Sequence, residues 1–174
     1  MTSRRRAFLW VLVAVLITLI FGFYSINSGQ TTAVLAGTVR AATLLVLGAI
    51  CGMICERSGI VNIGIEGQFL MAAFSAFTVT SLTGSLALGV FAGIATGLVL
   101  GWLLAAMAVG LKVDQIIAGT VINIAAVGLT SFFYDRSRSL GVGKYSPIEL
   151  GSLADIPLIG RVLFSRPLLT YITI

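Results

Sequence analysis

The sequence predicts an all-α membrane protein, a polytopic helical bundle with five transmembrane helices and the start of a sixth. Apolar residues make up 58% of the 174 residues and charged residues only 10%, whereas soluble domains carry about 25% charged residues. The mean hydropathy is +1.09. The apolar residues fall in blocks long enough to cross a hydrocarbon core of roughly 30 Å at about 1.5 Å per residue.

Hydropathy indicates a single transmembrane domain over residues 1–174. The first apolar run follows Arg4–Arg6, and no small-residue cleavage site comes after it, so we expect an uncleaved first helix. The three arginines are expected to hold the N-terminus in the cytoplasm. The predicted spans are 7–26, 39–55, 60–82, 86–111 and 115–133, with a partial span at 168–174.

Residues 134–167 differ from the spans because they contain all three prolines and many of the charges. We expect a long loop outside the bilayer here. Five crossings from a cytoplasmic N-terminus place this loop on the external side, although its basic residues suit the cytoplasmic side under the positive-inside rule. If the third segment were re-entrant, the number of crossings would change by one and the loop would be cytoplasmic. Charge alone therefore does not decide on which side of the membrane the loop lies.

Composition also limits the chemistry. The net charge of +5 comes from basic residues beside apolar blocks, which favours lipid headgroups over nucleic acid as the partner. The chain has no histidine, and Cys51 and Cys55 lack further soft ligands, so we expect structural thiols and neither a metal site nor a cofactor. No phosphate-binding loop or nucleophile motif is present. We therefore expect no catalytic residues and no enzyme activity, with any ATP bound by another polypeptide.

The segment ERSGIVNIGIEGQF, from Glu56 to Phe69, places scarce polar residues at the start of the predicted third span. A helix from residue 60 would put Glu66 about 9 Å along the axis, with Asn62 one turn below it. A carboxylate at that depth normally faces a cavity, a partner or water. Glycines beside polar side chains are also typical of the broken helices that form transporter sites.

Two interpretations of this segment stay open. In the first, Asn62, Glu66 and Gln68 line a water-filled path for a solute. In the second, Glu66 only reaches the membrane interface or caps the start of a helix. Asn123 in the fifth span has the same ambiguity, since a mid-membrane asparagine either bonds a neighbouring helix or contacts the solute.

A row of small residues in the fourth span predicts close helix packing. Four glycines recur at intervals of four, at Gly89, Gly93, Gly97 and Gly101. In lipid, helices associate where small residues let two backbones approach. We expect this face to contact a neighbouring helix, either within the chain or in another subunit.

Two stretches carry a family resemblance. The run ERSGIVNIGIEGQFLMAA and the later run KVDQIIAGTVINIAAVGLTSFF resemble the permease subunits of bacterial ABC importers for nucleosides and simple sugars, a group that includes the ribose and branched-chain amino-acid permeases. The resemblance covers residues 38 to 174. It implies a permease that moves nucleosides or simple sugars across the plasma (inner) membrane by alternating access.

The resemblance also implies partners: a second permease subunit, a cytoplasmic ABC ATPase and an extracytoplasmic solute-binding protein. It places Asn62, Glu66 and Gln68 along or beside the path of a small polar solute. Members of the family are roughly twice as long, so the sequence is expected to be the N-terminal half of a permease.

Two other functions are compatible with the sequence. A non-transporting membrane scaffold or assembly subunit would use the glycine row and need the polar segment only for packing. An ion-coupled transporter would use Glu66 as its ion site, but no other charge lies deep in a predicted span.

Overall fold

The computed structural model describes residues 3–134, together with residues 148–149, 162, 165–166 and 170–171. Five helices in this part of the chain are long and apolar enough to cross a membrane, which confirms the predicted all-helical membrane class. Most of the predicted loop 134–167 and of the predicted partial span 168–174 lies outside the described residues. The chain divides into two compact units, Met1–Val46 with Ser146–Ile174, and Leu47–Tyr145.

The first unit contains α1 (Ser3–Ile26) and the first part of α2 (Ser28–Arg57). The side chain of Asn27 caps α2 by accepting a hydrogen bond from the Gln30 N–H, at 3.4 Å. In the same unit, β1 (Ile148–Glu149) pairs antiparallel with β2 (Ser165–Arg166). This two-residue ladder is the only strand pairing in the described residues.

Helix α2 already begins at Ser28, well before the predicted second span, 39–55. Its polar first turns look like a loop in sequence. In the helix, Thr31, Thr32 and Thr38 each donate a hydroxyl hydrogen bond to the carbonyl four residues earlier, which satisfies the hydroxyl within the helix. The apolar part of the first helix is Phe8–Ile26, close to the predicted span 7–26, and the helix itself extends back to Ser3 and includes the three arginines.

The second unit contains the end of α2 and three further helices. These are α3 (Ile65–Thr83), α4 (Leu86–Ala105), which continues as a π-helical turn at Ala106–Gly110, and α5 (Gln115–Phe133). The Ser85 hydroxyl caps α4, and the Asp114 carboxylate caps α5 by accepting from the Ile116 and Ile117 N–H groups. Gly84 ends α3 in the left-handed conformation.

Helices α3 and α4 form a close antiparallel hairpin. A Cβ at Gly89 would overlap the Thr80 hydroxyl and lie 2.8 Å from the Ala76 carbonyl oxygen. A Cβ at Gly93 would lie 3.2 Å from the Ala72 carbonyl oxygen. One turn further along α4, the Thr96 hydroxyl donates to the Ser75 hydroxyl, at 2.7 Å.

The glycine row of α4 is thus divided between two environments. Gly89 and Gly93 allow α3 to approach, whereas a Cβ at Gly97 or Gly101 would meet nothing within 4 Å. The buried apolar residues of the second unit are few, and Leu104, Ala118 and Ile122 form their cluster. Most large side chains face outward, including Phe91, Trp102 and Phe132, as expected where lipid replaces water around the helices.

Replacing Gly89 by leucine should separate α3 from α4. The new side chain has no space beside Thr80 and Ala76, and overpacking of this kind typically lowers the free energy of unfolding by about 1–3 kcal/mol. Gly101→Leu is the matched control, since that position is open. Unfolding of both variants in micelles by denaturant titration measures the difference, and equal stability would contradict the close packing at Gly89.

Candidate functional site

The polar segment identified in the sequence is where the chain stops being helical between α2 and α3. Gly59, with φ of +82°, ends α2 in the left-handed region. The Gly59 N–H bonds to the Glu56 carbonyl and the Ile60 N–H to the Cys55 carbonyl, both at 3.0 Å, which is the Schellman pattern. Residues 60–64 are not helical, and we call them the break.

The structure therefore corrects the predicted third span, 60–82. Helix α3 begins at Ile65, with Gly64 as its N-cap. Glu66 lies in the first turn and not about two turns into a helix, and Asn62 lies in the break. The sequence could not show this, because the apolar residues of the break continue the hydropathy of the span, and the hydrogen bonds that hold the break open come from α5.

Gln115, the first residue of α5, holds the near end of the break. Its side-chain Oε1 accepts from the Val61 N–H at 2.6 Å, and its Nε2 donates to the Gly59 carbonyl at 3.3 Å. Because a backbone N–H can only donate, the Val61 contact fixes which end of the Gln115 amide is the oxygen. One carboxamide thus satisfies two backbone groups that have lost their helical partners.

Asn123 holds the far end of the break in the same way. Its Oδ1 accepts from the Gly67 N–H at 2.7 Å, and its Nδ2 donates to the Ile63 carbonyl at 3.0 Å. Gly67 is in the first turn of α3, where N–H groups have no partner within the helix. Asn123 therefore caps α3 from a different helix, while Gly64 provides no side chain to do so.

Glycines allow α5 to lie directly against the break. A Cβ at Gly119 would be 2.8 Å from the Gly64 nitrogen, and a Cβ at Gly67 would be 2.8 Å from the Asn123 Cα. Gln115, Gly119 and Asn123 are spaced by four, so they occupy one face of α5. Gly67 meets Asn123, and the Phe77 ring lies beside the Tyr134 ring, so α3 and α5 run parallel.

Asn62 and Gln68 form a second hydrogen-bonded chain, on the α2 side of the break. Asn62 Oδ1 accepts from the Gly64 N–H at 3.0 Å, and its Nδ2 donates to Gln68 Oε1 at 3.1 Å. Because the Gly64 N–H can only donate, the atom of Asn62 that faces it must be the oxygen. The Asn62 nitrogen then donates to Gln68, so the atom of Gln68 that faces it must also be the oxygen. This leaves the buried Gln68 Nε2 without a partner in the described part of the chain. The Asn62 amide also lies 4.0 and 3.8 Å from the sulfurs of Cys51 and Cys55.

Glu66 differs from the other predicted site residues because its side chain is exposed. Within the described residues, its carboxylate has no hydrogen bond or ion pair. Its place in the first turn of α3 suits a negative charge, since the N-terminal end of a helix carries partial positive charge. No group of three potential metal ligands occurs in the described residues.

Three of the four predicted site residues thus maintain the break, and the fourth projects from it. Asn62, Gln68 and Asn123 are engaged with backbone or with each other, whereas Glu66 is available. The sequence interpretation missed Gln115 and Gly119. The spacing of four residues between Gln115, Gly119 and Asn123 was visible in the sequence. Only the fold shows that the break packs against the face of α5 that these residues share.

Asn123→Leu should leave the Ile63 carbonyl and the Gly67 N–H without partners and destabilise the start of α3. Leaving a buried group unsatisfied typically costs about 1–3 kcal/mol. Thr120→Ala is the control, because among the described residues the Thr120 hydroxyl bonds only to the Ile116 carbonyl of its own helix. Amide hydrogen exchange at Gly67 should become faster in Asn123→Leu and stay unchanged in Thr120→Ala. Unchanged protection in both would contradict the cap.

Gly119→Ala tests the close approach without removing any hydrogen-bonding side chain. Its methyl group would meet the backbone of Gly64, which cannot move aside easily, so we expect a loss of about 1–3 kcal/mol in unfolding free energy. Gly128→Ala on the same helix has open space and should be neutral or stabilising by up to about 1 kcal/mol. Denaturant titration of the pair checks this, and equal effects would disprove the contact.

Comparison with known proteins agrees with this architecture. A protein of Haloferax volcanii, provisionally named glucose ABC transporter permease protein TsgC13, is 35% identical over 144 residues, which cover 80% of this chain and 44% of the relative. The guanosine ABC transporter permease protein NupQ of Bacillus subtilis is 30% identical over 76% of this chain and 45% of its own length. The nucleoside ABC transporter permease protein NupC of Lactococcus lactis is 31% identical, with the same coverage.

The chain spans about half the length of these curated relatives. No solved structure matches it significantly. The five apolar helices and these relatives identify a multi-pass plasma membrane protein. Residues 34–148, which include the break and all of α3, α4 and α5, match the model of one family. The chain therefore belongs to the family described as the permease component of the branched-chain amino acid transport system.

Proposed function

We propose that the chain forms part of a transmembrane permease subunit of an ATP-driven ABC importer that moves nucleosides or simple sugars by alternating access. Its relatives are named as permeases for glucose, guanosine and nucleosides. The subunit itself would not be an enzyme. Its partners would be a second permease subunit, a cytoplasmic ABC ATPase and an extracytoplasmic solute-binding protein.

The observation that carries the proposal is the break before α3. Irregular backbone at membrane depth is tolerated where it is buried in protein or lines a water-filled cavity, and transporters place solute sites beside such discontinuous helices. Here α5 secures the break on one side, through Gln115 and Asn123. The exposed Glu66 carboxylate lies in the first turn after it.

Within this proposal, the four predicted path residues have two different roles. Glu66 would face the solute path, because its carboxylate is exposed. Asn62, Gln68 and Asn123 would border the path and keep the break in the shape that presents Glu66, since their amides are used inside the protein. Gly89 and Gly93 would serve packing alone.

Glu66→Gln should reduce solute uptake by the assembled transporter, in which the chain is co-expressed with the rest of the permease, the ATPase and the binding protein. The amide retains the size of the carboxylate but loses its charge. We expect uptake to fall by about tenfold, which corresponds to roughly 1.4 kcal/mol in the barrier. Glu56→Gln is the control, since that carboxylate lies on α2 before the break.

Uptake of radiolabelled nucleoside and glucose, with membrane insertion scored separately, measures this effect. Uptake by Glu66→Gln at the wild-type rate would remove Glu66 from the path. Uptake that persists after ATP depletion and follows an ion gradient would instead identify an ion-coupled transporter.

A further inference from the structure

A groove between α3 and α5 has no assigned role. It has a volume of about 520 Å³, within the range of about 300–1,000 Å³ that small-molecule sites usually occupy. It lies in the second unit, beyond the break, beside the middle of α3 and the C-terminal end of α5. Apart from Leu70 at one end, its walls are Ala73, Phe74 and Phe77 of α3 and Thr130, Ser131 and Tyr134 of α5.

Aromatic rings and hydroxyl groups make up the chemistry of this groove. The rings of Phe77 and Tyr134 have centroids 6.2 Å apart and planes tilted by 39°, so they line the groove without stacking closely on each other. The Thr130 hydroxyl donates to carbonyls within α5. The Ser131 and Tyr134 hydroxyls make no hydrogen bond in the part of the chain that the structure describes, which leaves them free to donate.

The groove lies on the same face of α3 as Glu66. Residues 66, 70, 73 and 77 are spaced by four, three and four, and such residues share one face of a helix. Phe74 lies about 12 Å along the axis from Glu66 at about 1.5 Å per residue. The exposed carboxylate and the aromatic groove therefore follow one another along a single side of α3.

The groove suits a planar heterocycle better than a sugar. A base can stack on aromatic side chains through its π-face, while a few hydroxyls bond to its edge. A hexose presents hydroxyl groups around its ring and needs a polar partner for most of them. The walls contain no charged or carboxamide side chain, so a buried hexose would leave several hydroxyls unpaired.

We propose that this groove binds the base of a nucleoside, with Phe74, Phe77 and Tyr134 supplying ring contacts and Ser131 and Tyr134 supplying hydrogen bonds to the base edge. The inference rests on the proposed function, and it selects the nucleoside from the two solute classes named there. It makes these residues specificity determinants that lie apart from the break.

Binding to the purified full chain in nanodiscs tests the groove without requiring transport. Equilibrium dialysis with radiolabelled guanosine gives the affinity, with unlabelled ribose and glucose as competitors. Phe74→Leu and Phe77→Leu should each weaken guanosine binding by about tenfold, the loss expected when a base loses one stacking partner. Tyr134→Phe should keep the ring contact and have a smaller effect.

Ala73→Phe should abolish guanosine binding, because the added ring would fill the groove while the backbone stays helical. Ala95→Phe is its matched control, since Ala95 is exposed on α4 and lies outside the groove. Thermal unfolding of each variant confirms that it is folded. The proposal is overturned if the wild-type chain binds no guanosine, if Ala73→Phe binds as well as Ala95→Phe, or if glucose competes as effectively as unlabelled guanosine.

The same variants in the uptake assay separate this inference from the proposed function. ATP-driven uptake of nucleoside by Ala73→Phe at the wild-type rate would overturn the groove as a subsite and leave the importer proposal intact. The opposite result is that Ala73→Phe abolishes guanosine binding but the assembled complex shows no ATP-driven uptake. That result would support the groove as a binding site and contradict the importer proposal.

Discussion

The structure of the second unit depends on hydrogen-bond partners for the backbone N–H and carbonyl groups at the point where the chain leaves the helical path between α2 and α3. In hydrocarbon, each unpaired N–H or carbonyl group costs several kcal/mol, so a break survives only when other groups replace the lost helical bonds. Here the replacements come from α5, where Gln115 and Asn123 each bond one backbone group of the break and one backbone group beside it. Gly119 lets the α5 backbone come close enough for both contacts.

This constraint explains why the polar residues of the segment differ in availability. The carboxamides of Asn62 and Asn123 are used to hold the chain, and the oxygen of Gln68 is used by Asn62. Glu66 cannot replace them, because an ionised carboxylate only accepts hydrogen bonds, whereas the break needs both donors and acceptors. The charge is therefore left exposed at the start of α3, where the helix dipole favours it.

The fold and the site were predictable to different extents. Composition and hydropathy were sufficient for the membrane class and the five helices, because lipid demands long apolar segments. Hydropathy did not predict the ends of those helices. The threonines at the start of α2 look like a loop but bond back to their own helix, while the apolar residues at 60–63 look helical but are not. In both cases hydropathy does not report the hydrogen bonds at the boundary, which lie within α2 in the first case and come from α5 in the second.

The sequence by itself determined that this chain is a multi-pass membrane protein, that its fourth helix carries a row of small residues, and that the segment from Glu56 to Phe69 is unusual. Each of these follows from residue type and spacing along one helix. Only the tertiary structure decided what the unusual residues do. Gly97 and Gly101 resemble Gly89 and Gly93 in sequence, but a Cβ at either position would meet nothing within 4 Å in the described residues, and Asn123 caps α3 across 56 residues of chain. These outcomes depend on which helices become neighbours, and that is a property of packing in three dimensions.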